Sequence, residues 1–540
     1  MNHNHTFVLF LIAIILLTII VGVTSRLISR KRLFNDLENL WRTISPIETF
    51  IRPNARFNSE YQLKKNDYNS HQLIDDKTWS DLNMSDIFHM MNYNFTAIGE
   101  MRLYATLRGM YKLNNQTLLS LFKNNKAFRQ QVAYRLALIG KTVYPKFPDQ
   151  ITYISSNFLL MLCPLLPVIT ALIIFVNAQL GLLLLLASCI VNIILSSTLK
   201  RSYDDDLKSM FYISNVLQQG YAITKIQDTP NPEVNFSHFK AARRLTGILA
   251  DVNDQDVGGA FIKLLKMIFM LDYLIFHSIQ RSYNKYKAEL NHCFSYVAQL
   301  DNYYALAMYQ RTLDVYCEPQ SNTQMTDVQF TDLSHPLIVD AVANSFTLNN
   351  NVLLTGSNAS GKSTFMKAVA INLILAQTIN TTTARSFTYE PGNVYTSMAN
   401  ADDVLSGDSY FMAELKSIKR IVNINSSSKL YCFIDEIFKG TNTTERIAAS
   451  ESVLSYLDHQ SNVRVIAATH DIELATMLNK RFINYHFNEI IENNNIHFDY
   501  TIKPGKANTR NAIELLKITD FPETIYQRAK DNVSDDDNAN

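Results

Sequence analysis

The sequence predicts an α/β domain over residues 316–530, preceded by a mostly helical region that contains membrane-spanning helices. Glycine is scarce, at 15 in 540 residues, which favours a mainly helical protein whose few glycines have local roles. Long runs at 7–23 and 157–198 carry no charged side chain, which is typical of membrane helices. A short apolar strand, a glycine-containing loop and a helix follow one another over 351–378, which indicates the α/β part.

The overall composition excludes several classes of protein. Lys and Arg number 50 against 49 Asp and Glu, so no global basic field exists to hold nucleic acid. Hydrophobic residues make up 47% and charged residues only 18%, which excludes a disordered chain. No CxxC pair occurs among the five cysteines, which therefore indicate neither a disulfide framework nor a zinc site: Cys163, Cys189, Cys293, Cys317 and Cys432.

The first apolar run, 7–23, is just long enough to span a bilayer, since a spanning helix needs at least about 17 residues. A cleaved signal peptide would carry positive charge before the run, but the nearest basic residues, at 26 and 30–32, follow it. This pattern favours an uncleaved anchor over residues 1–25, with the rest of the chain in the cytoplasm. A cleaved signal peptide stays open as the alternative.

The second apolar block, 157–198, is interrupted at 177–179, which leaves two stretches of about 20 residues each. Lys146 precedes the block and Lys200 follows it, so both ends face the positive side and the block predicts a transmembrane hairpin. A buried helical hairpin in a soluble core is the alternative. With the first run, this gives a multi-pass protein with three predicted spans and a cytoplasmic C-terminal domain.

The strongest chemical signal is the pattern G-x-x-x-x-G-K-[ST], which follows the strand at 351–355. Its glycines let the backbone N–H groups turn toward phosphates, and the helix that follows adds partial positive charge. The pattern predicts that Lys362 contacts the β- and γ-phosphates of ATP and that Ser363 binds Mg²⁺. The predicted cofactor-binding residues of this loop are Gly356, Ser357, Asn358, Ala359, Ser360, Gly361, Lys362, Ser363 and Thr364.

Two further strands end in polar residues that suit the same chemistry. The strand at 429–434 ends at Asp435 and Glu436, and we expect Asp435 to hold Mg²⁺ and Glu436 to polarise the attacking water. The strand at 463–468 is followed by His470, which would sense the γ-phosphate. An exposed acidic turn and a structural histidine are the alternatives. The predicted catalytic residues are therefore Lys362, Glu436 and His470.

A polar loop at 402–408 leads into a predicted helix at 409–422. Ser409 lies at or near the start of this helix, where its hydroxyl and the backbone N–H groups form an anion site. The apolar positions Phe411, Leu415, Ile418 and Val422 fall on one face. Taken alone, the segment is a capped amphipathic helix.

Together these segments resemble the ATPase domain of the MutS family of DNA mismatch-repair proteins. The resemblance covers about 320–530 and rests on TGSNASGKST, ADDVLSGDSYFMAEL, LYCFIDEIFKGTNTTERIAAS and IAATHDIEL, together with SHP at 334–336. The FMxE after LSGDS and the GTNT after the acidic pair are MutS-like and separate the chain from transporter ATPases. More loosely, Ile74–Arg108 and Ala298–Ala307 resemble the start and end of that family's helical lever domain.

The resemblance implies a P-loop ATPase domain of the ABC/MutS type behind a helical lever, with ATP and Mg²⁺ as cofactors. It also implies a homodimer in which Ser409 covers the ATP held by the other subunit. In MutS relatives the levers embrace DNA. Two of the family's features are not recognised in this sequence: the N-terminal mismatch reader and the DNA-clamping insertion of the lever, whose expected place is taken by the apolar block.

The predicted organisation places a helical lever on either side of the transmembrane hairpin and the ATPase after it. The predicted segments are a transmembrane anchor at 1–25, lever at 26–150, hairpin at 157–198, lever at 200–315, ATPase at 316–530 and an acidic tail at 531–540.

Two functions stay open. One is a membrane-anchored MutS-like ATPase with mismatch-repair-like DNA binding, and the other is an ATP-driven mechanical or signalling membrane module without a nucleic-acid ligand. The predicted partners are a second copy and the membrane, with DNA and an unidentified protein open. The near-zero net charge argues against strong DNA binding.

Overall fold

The computed structural model describes residues 24, 27–44, 56–141, 144–151, 153, 155–249, 257–322, 328–357, 360–398, 410–492, 495–507 and 521–539. The chain divides into two compact units. The first comprises Met1–Glu60, Asn92–Leu103 and Asn115–Tyr309, and the second comprises Tyr61–Met91, Tyr104–Asn114 and Gln310–Asn540. Residues 61–91 and 104–114, which the sequence assigns to the lever, therefore belong to the same unit as the α/β domain.

Helices occur in both units. Residues 27–43 are also helical and are not numbered below. In chain order the numbered helices are α1 (Ser59–Lys64), α2 (Asp76–Asp81), α3 (Met84–Met91), α4 (Ala97–Leu107), α5 (Gln116–Asn124), α6 (Lys126–Ile139), α7 (Phe158–Leu162), α8 (Leu166–Ile173), α9 (Ala178–Ile223), α10 (Lys240–Leu249), α11 (Val257–Ile268), α12 (Leu271–Lys285), α13 (Lys287–Thr312), α14 (Lys362–Ile379), α15 (Tyr410–Val422), α16 (Thr443–Asp458), α17 (Ile472–Met477) and α18 (Glu523–Ala539).

The strands of the described residues all lie in the second unit. They are β1 (Gln320–Ser321), β2 (Val328–Leu333), β3 (Asn344–Leu348), β4 (Asn351–Thr355), β5 (Ser386–Tyr389), β6 (Gly392–Ser397), β7 (Lys429–Asp435), β8 (Val463–Ala468), β9 (Phe482–His486), β10 (Glu489–Glu492), β11 (Asn495–Phe498) and β12 (Lys503–Pro504).

The first unit is organised around α9, a single helix of 46 residues. Its C-terminal half contributes Met210, Ile213, Val216 and Leu217 to the core, all of them buried. Positions spaced by three and four residues share one face of a helix, so this half presents one apolar face to its neighbours. The helix contacts α6, α8, α10, α11 and α12. The predicted boundary between hairpin and lever, at 198–200, lies inside this uninterrupted helix.

The described residues contain one helical segment, Ala178–Arg201, that is long and apolar enough to cross a membrane, and 17% of its most apolar window is buried. The other arm of the predicted hairpin, Phe158–Ile173, is shorter. The prediction of two spans in this block is not supported, because Pro164 and Pro167 divide the first arm into α7, a 3₁₀ turn and α8 and leave one helix of sufficient length. The predicted anchor at 7–23 lies outside the described residues.

Two segments that resemble the ends of a lever domain meet within the first unit. The buried Asp301 carboxylate of α13 accepts hydrogen bonds from the backbone N–H groups of Phe95 and Thr96, at 2.9 and 2.8 Å, before the start of α4. Carboxylates stabilise helix N-termini because the N–H groups there have no helical partner. A Cβ on Gly99 would lie 2.1 Å from an Asp301 oxygen, so this approach requires glycine.

The second unit contains a six-stranded sheet with the strand order β12-β9-β4-β8-β7-β6. Its strands are parallel except for β12, which pairs antiparallel with β9. The predicted strands at 351–355 and 463–468 are confirmed by β4 and β8, and the predicted strand at 429–434 is one residue longer in β7. The carboxyl ends of β4, β7 and β8 therefore lie at one edge of the sheet.

The edge strand β6 is covered by α2, from the segment that the sequence assigns to the lever. The buried Asp81 carboxylate accepts hydrogen bonds from the Thr396 hydroxyl at 2.8 Å and from the Met398 N–H at 3.0 Å. Arg420 of α15 forms an ion pair with Asp75. Polar groups on an edge strand need partners when they are buried, and Asp81 supplies them.

Candidate nucleotide-binding site

The candidate site begins at the end of β4, a central strand whose five residues are all buried. The chain leaves this strand at Gly356, which has φ +140°, a conformation that side chains disfavour. A Cβ there would lie 2.6 Å from the carbonyl oxygen of Phe487. Gly361, with φ +109°, directly precedes α14. Strand, loop and helix thus follow the arrangement that the sequence predicts.

Lys362, the first residue of α14, folds back over the loop. Its ammonium group donates hydrogen bonds to the carbonyl oxygens of Gly356 and Ser357, both at 2.8 Å. The side chain is 4% exposed, and burial lowers its pKa. The nearby carboxylates of Asp435 and Glu436 act in the opposite direction. The ammonium is therefore held beside the loop backbone, where a bound phosphate would need a positive charge.

Ser363 and Asp435, the two predicted Mg²⁺ ligands, contact each other. The Ser363 hydroxyl donates to Oδ2 of Asp435 at 2.5 Å. The other carboxylate oxygen, Oδ1, is buried without a hydrogen-bond partner among the described residues, and burial raises the pKa of Asp435. Mg²⁺ prefers oxygen ligands and takes few from the protein when phosphates supply others. A hydroxyl and a carboxylate with an orphaned oxygen therefore fit this ion.

Glu436 follows β7 in the left-handed conformation, with φ +52°. Its N–H donates to the carbonyl of Ala468 at 3.0 Å, which ties the end of β7 to the end of β8. One carboxylate oxygen lies 2.5 Å from Nε2 of His470, and the other pairs with the Lys439 ammonium. The hydrogen bond to His470, followed by that to Lys439, lowers the pKa of Glu436 to about 2. Glu436 is therefore a carboxylate at neutral pH.

Glu414 joins two motifs that are far apart in the sequence. It belongs to the FMxE segment on α15, and its side chain is 7% exposed. Its carboxylate oxygens accept from the N–H groups of Lys439 and Gly440 at 3.3 and 3.4 Å, where the GTNT segment begins at Gly440. Burial raises the pKa of Glu414. This contact positions the loop that carries Lys439. The sequence shows the FMxE and GTNT motifs separately but does not predict that they touch.

Three more contacts near the site are not predicted from the sequence. The Ser357 hydroxyl donates to the Glu489 carboxylate. An added Cβ on Gly361 would lie 3.1 Å from the Tyr500 ring, so this ring covers the start of α14. Arg446 of α16 binds Asp471 through two nitrogens, at 2.6 and 2.9 Å, directly after His470. The third contact orients the loop that carries the histidine.

The structure brings eight of the predicted residues together at the sheet edge. Of the rest, Ser360 is fully buried, with its hydroxyl unpartnered among the described residues, and Thr364 is exposed at the start of α14. Asn358, Ala359 and Ser409 lie outside the described residues. The eight are Gly356, Ser357, Gly361, Lys362, Ser363, Asp435, Glu436 and His470.

Comparison with known proteins gives a consistent result. Residues 352–535 match the family model described as MutS domain V. The DNA mismatch repair protein MutS of Fusobacterium nucleatum is 32% identical over 185 residues, which cover 34% of this chain and 20% of that protein. The proteins of the same name from Staphylococcus aureus and Lactobacillus helveticus are 27% and 28% identical over 272 residues.

The matched region covers 48% of this chain and 31% of each of the last two relatives, so the chain spans a third or less of the relatives' length. The family match contains the candidate site, including the strands β4, β7 and β8 that position it. Over this region the chain is similar to domain V of the MutS family.

Proposed function

We propose that the chain binds ATP with Mg²⁺ and hydrolyses it at the edge of the six-stranded sheet. The observation that carries this proposal is the convergence of an ammonium, a hydroxyl–carboxylate pair and a charged glutamate on three neighbouring strand ends. This combination suits phosphoryl transfer, where catalysis consists largely of positioning and charge stabilisation.

Each residue has a separate task in this reaction. Ser363 and Asp435 would hold Mg²⁺, which would supply positive charge to the phosphates. Lys362 offers its ammonium to the phosphates in exchange for the two loop carbonyls that it contacts now. Glu436 accepts the proton of a water that it orients, and His470 holds the glutamate in place through their hydrogen bond.

The active form would be a pair of chains, with Ser409 of each chain covering the nucleotide held by the other. ATP held between two surfaces stabilises the closed pair only as far as it binds that pair better than the separate chains. The similarity to MutS domain V supports this arrangement, because MutS proteins work as dimers.

Mixing two inactive variants tests the shared site. A Lys362→Ala chain and a Ser409→Ala chain, each inactive alone, should regain about a quarter of wild-type turnover when mixed equally, because half of the pairs then contain one intact site. Steady-state phosphate release measures this recovery. If Ser409 acted within its own chain, every mixed pair would stay inactive, and absence of recovery would refute the shared site.

A second candidate function follows from α9. One uninterrupted helix joins a largely exposed apolar segment to the core of the helical unit. We propose that this segment attaches the chain to a membrane and that ATP-driven movement of the helical unit acts there, without a nucleic-acid ligand. An exposed apolar surface of this length is costly in water and suits a bilayer.

DNA binding distinguishes the two functions. The net charge of +1 provides few phosphate contacts, so we expect the full chain in detergent to bind duplex DNA weakly even at about 50 mM salt, with or without ATP. Fluorescence anisotropy across a salt titration measures the binding, with turnover as the control for intact protein. Tight binding that weakens steeply with salt would instead favour the mismatch-repair-like function.

A further inference from the structure

The helices α10, α11 and α12 contact α9 at positions that first shift toward its apolar end and then shift back. In α10, the first of these helices, the Arg243 guanidinium lies 3.9 Å from the centre of the Tyr221 ring, near the C-terminal end of α9. At the contact nearest the apolar end of α9, the side-chain amide of Asn192 donates to the carbonyl of Ile268, the last residue of α11, at 2.8 Å. Between these contacts the partner position on α9 moves by 29 residues.

The chain reverses its direction directly after α11. Met270 separates α11 from α12 in the left-handed conformation, with φ +46°, which reverses the chain. Further along α12, the Tyr283 hydroxyl lies 2.6 Å from the Ser214 hydroxyl, back in the core half of α9. Among α10, α11 and α12, the corner between α11 and α12, residues 267–271, therefore lies nearest the apolar end of α9.

The corner reaches into the apolar part of α9. Asn192 precedes Lys200 by eight residues, which corresponds to about 12 Å along the helix. Asn192 is fully buried and also donates to the carbonyl of Cys163 at 2.9 Å, so one side chain ties together α9, the first arm of the hairpin and the corner. These two bonds satisfy the amide nitrogen, whereas Oδ1 is buried without a hydrogen-bond partner among the described residues.

The sequence of the corner and the charges around it suit lipid. Residues 267–271 read MIFML, without a polar side chain; Met270 is fully buried and the other four are half-buried. Lys200, Arg201 and Lys263 are exposed, and basic side chains at the end of an apolar segment suit the phosphates of an anionic leaflet. The uncharged stretch 178–199 is about 33 Å long as a helix, which matches the hydrocarbon thickness of a bilayer.

We propose that the α11–α12 corner is a second lipid-contacting element, a wedge of residues 267–271 whose partly exposed side chains, Met267, Ile268, Phe269 and Leu271, lie among acyl chains beside the base of the hairpin. The proposal rests on the membrane attachment proposed above and adds to it a site outside the apolar block. Asn192 locks the wedge to the hairpin, so the helical unit would hold the membrane at two places instead of one.

Photolabelling of the unmodified full chain tests the wedge. The chain is reconstituted in vesicles of phosphatidylcholine and phosphatidylglycerol that contain a lipid with a diazirine on its acyl chain, and labelled peptides are mapped by mass spectrometry. We expect label in the hairpin and in the peptide 267–281. Phe269→Glu should lower the label in that peptide by about tenfold, since a charge in the hydrocarbon layer is costly, while hairpin label stays unchanged.

The outcomes separate the two proposals. Label in the hairpin but not in 267–281 would overturn the wedge, because protein then covers the corner, and would leave membrane attachment intact. Label in neither would overturn membrane attachment itself. Tyr456→Glu, at an exposed position on α16, is the control and should leave both signals unchanged. Thermal unfolding and ATP turnover of Phe269→Glu show whether that variant is folded.

Discussion

Replacing Lys362 with alanine should lower ATP turnover by at least about a hundredfold, the usual cost of losing one preorganised charge at a phosphoryl-transfer site. The side chain is buried and contacts only loop carbonyls among its hydrogen-bond partners, so its removal leaves the loop without the positive charge that phosphates need. Alanine is a good helix former, and α14 should persist. Steady-state phosphate release by the full chain measures the effect.

Lys367→Ala provides the matched control. Lys367 lies five residues further along α14 and donates to Asn83 at 3.0 Å, away from the loop. We expect this variant to keep wild-type turnover and a similar unfolding temperature. Normal turnover in Lys362→Ala would contradict the assignment of the loop as the phosphate site.

Glu436→Gln should bind ATP but hydrolyse it about a thousandfold more slowly, within the range expected for loss of a general base. The amide keeps the size and the hydrogen-bonding reach of the side chain. It removes the negative charge that His470 and Lys439 stabilise and that holds the pKa of Glu436 at about 2. Because hydrolysis then no longer reopens the pair, ATP should convert the chain to a dimer. Single-turnover hydrolysis and sedimentation with and without ATP measure the two effects.

Glu451→Gln is the control for this variant. Glu451 accepts from the Ser455 hydroxyl at 2.7 Å on α16 and touches none of the site residues described above. It should hydrolyse ATP at the wild-type rate. A Glu436→Gln chain that binds ATP yet remains monomeric would refute the two-chain site, and wild-type hydrolysis would refute the role of Glu436.

The strands that build the site could be predicted from the sequence because buried parallel strands read as short, continuous apolar runs. The β4, β7 and β8 segments are of this kind, and each is followed directly by the polar residues of the candidate site. Parallel pairing then brings their carboxyl ends together without further information. Local pattern and topology therefore agree in this part of the chain.

The contacts that hold the site from outside could not be predicted in the same way. Glu414 and Gly440 lie 26 residues apart, and Asp81 and Thr396 lie 315 apart. Neither pair has a periodicity or spacing that signals it, because each depends on where the tertiary fold places an isolated polar group. The same holds for Ser357 and Glu489, which meet only because β10 follows a strand adjacent to β4.

The helical unit shows a different limit. Apolar composition marks the block 157–198, but composition does not show that its second arm continues as one helix to Ile223. Nor does it show that the first arm is divided by its prolines into short helices. Continuity depends on the absence of a break at Lys200, where charged residues follow apolar ones without any residue that ends a helix.

That continuity fixes a rotational phase. Each residue of an α-helix turns the chain by about 100° and advances it by about 1.5 Å. The apolar surface of 178–199 and the buried face of 210–217 are therefore held at a fixed angle to each other about the helix axis. A single-residue insertion between them would turn one against the other by about 100°, whereas seven residues would restore their facing to within about 20°. Length variation between the two halves of α9 is thus tolerated only in steps of whole helical repeats.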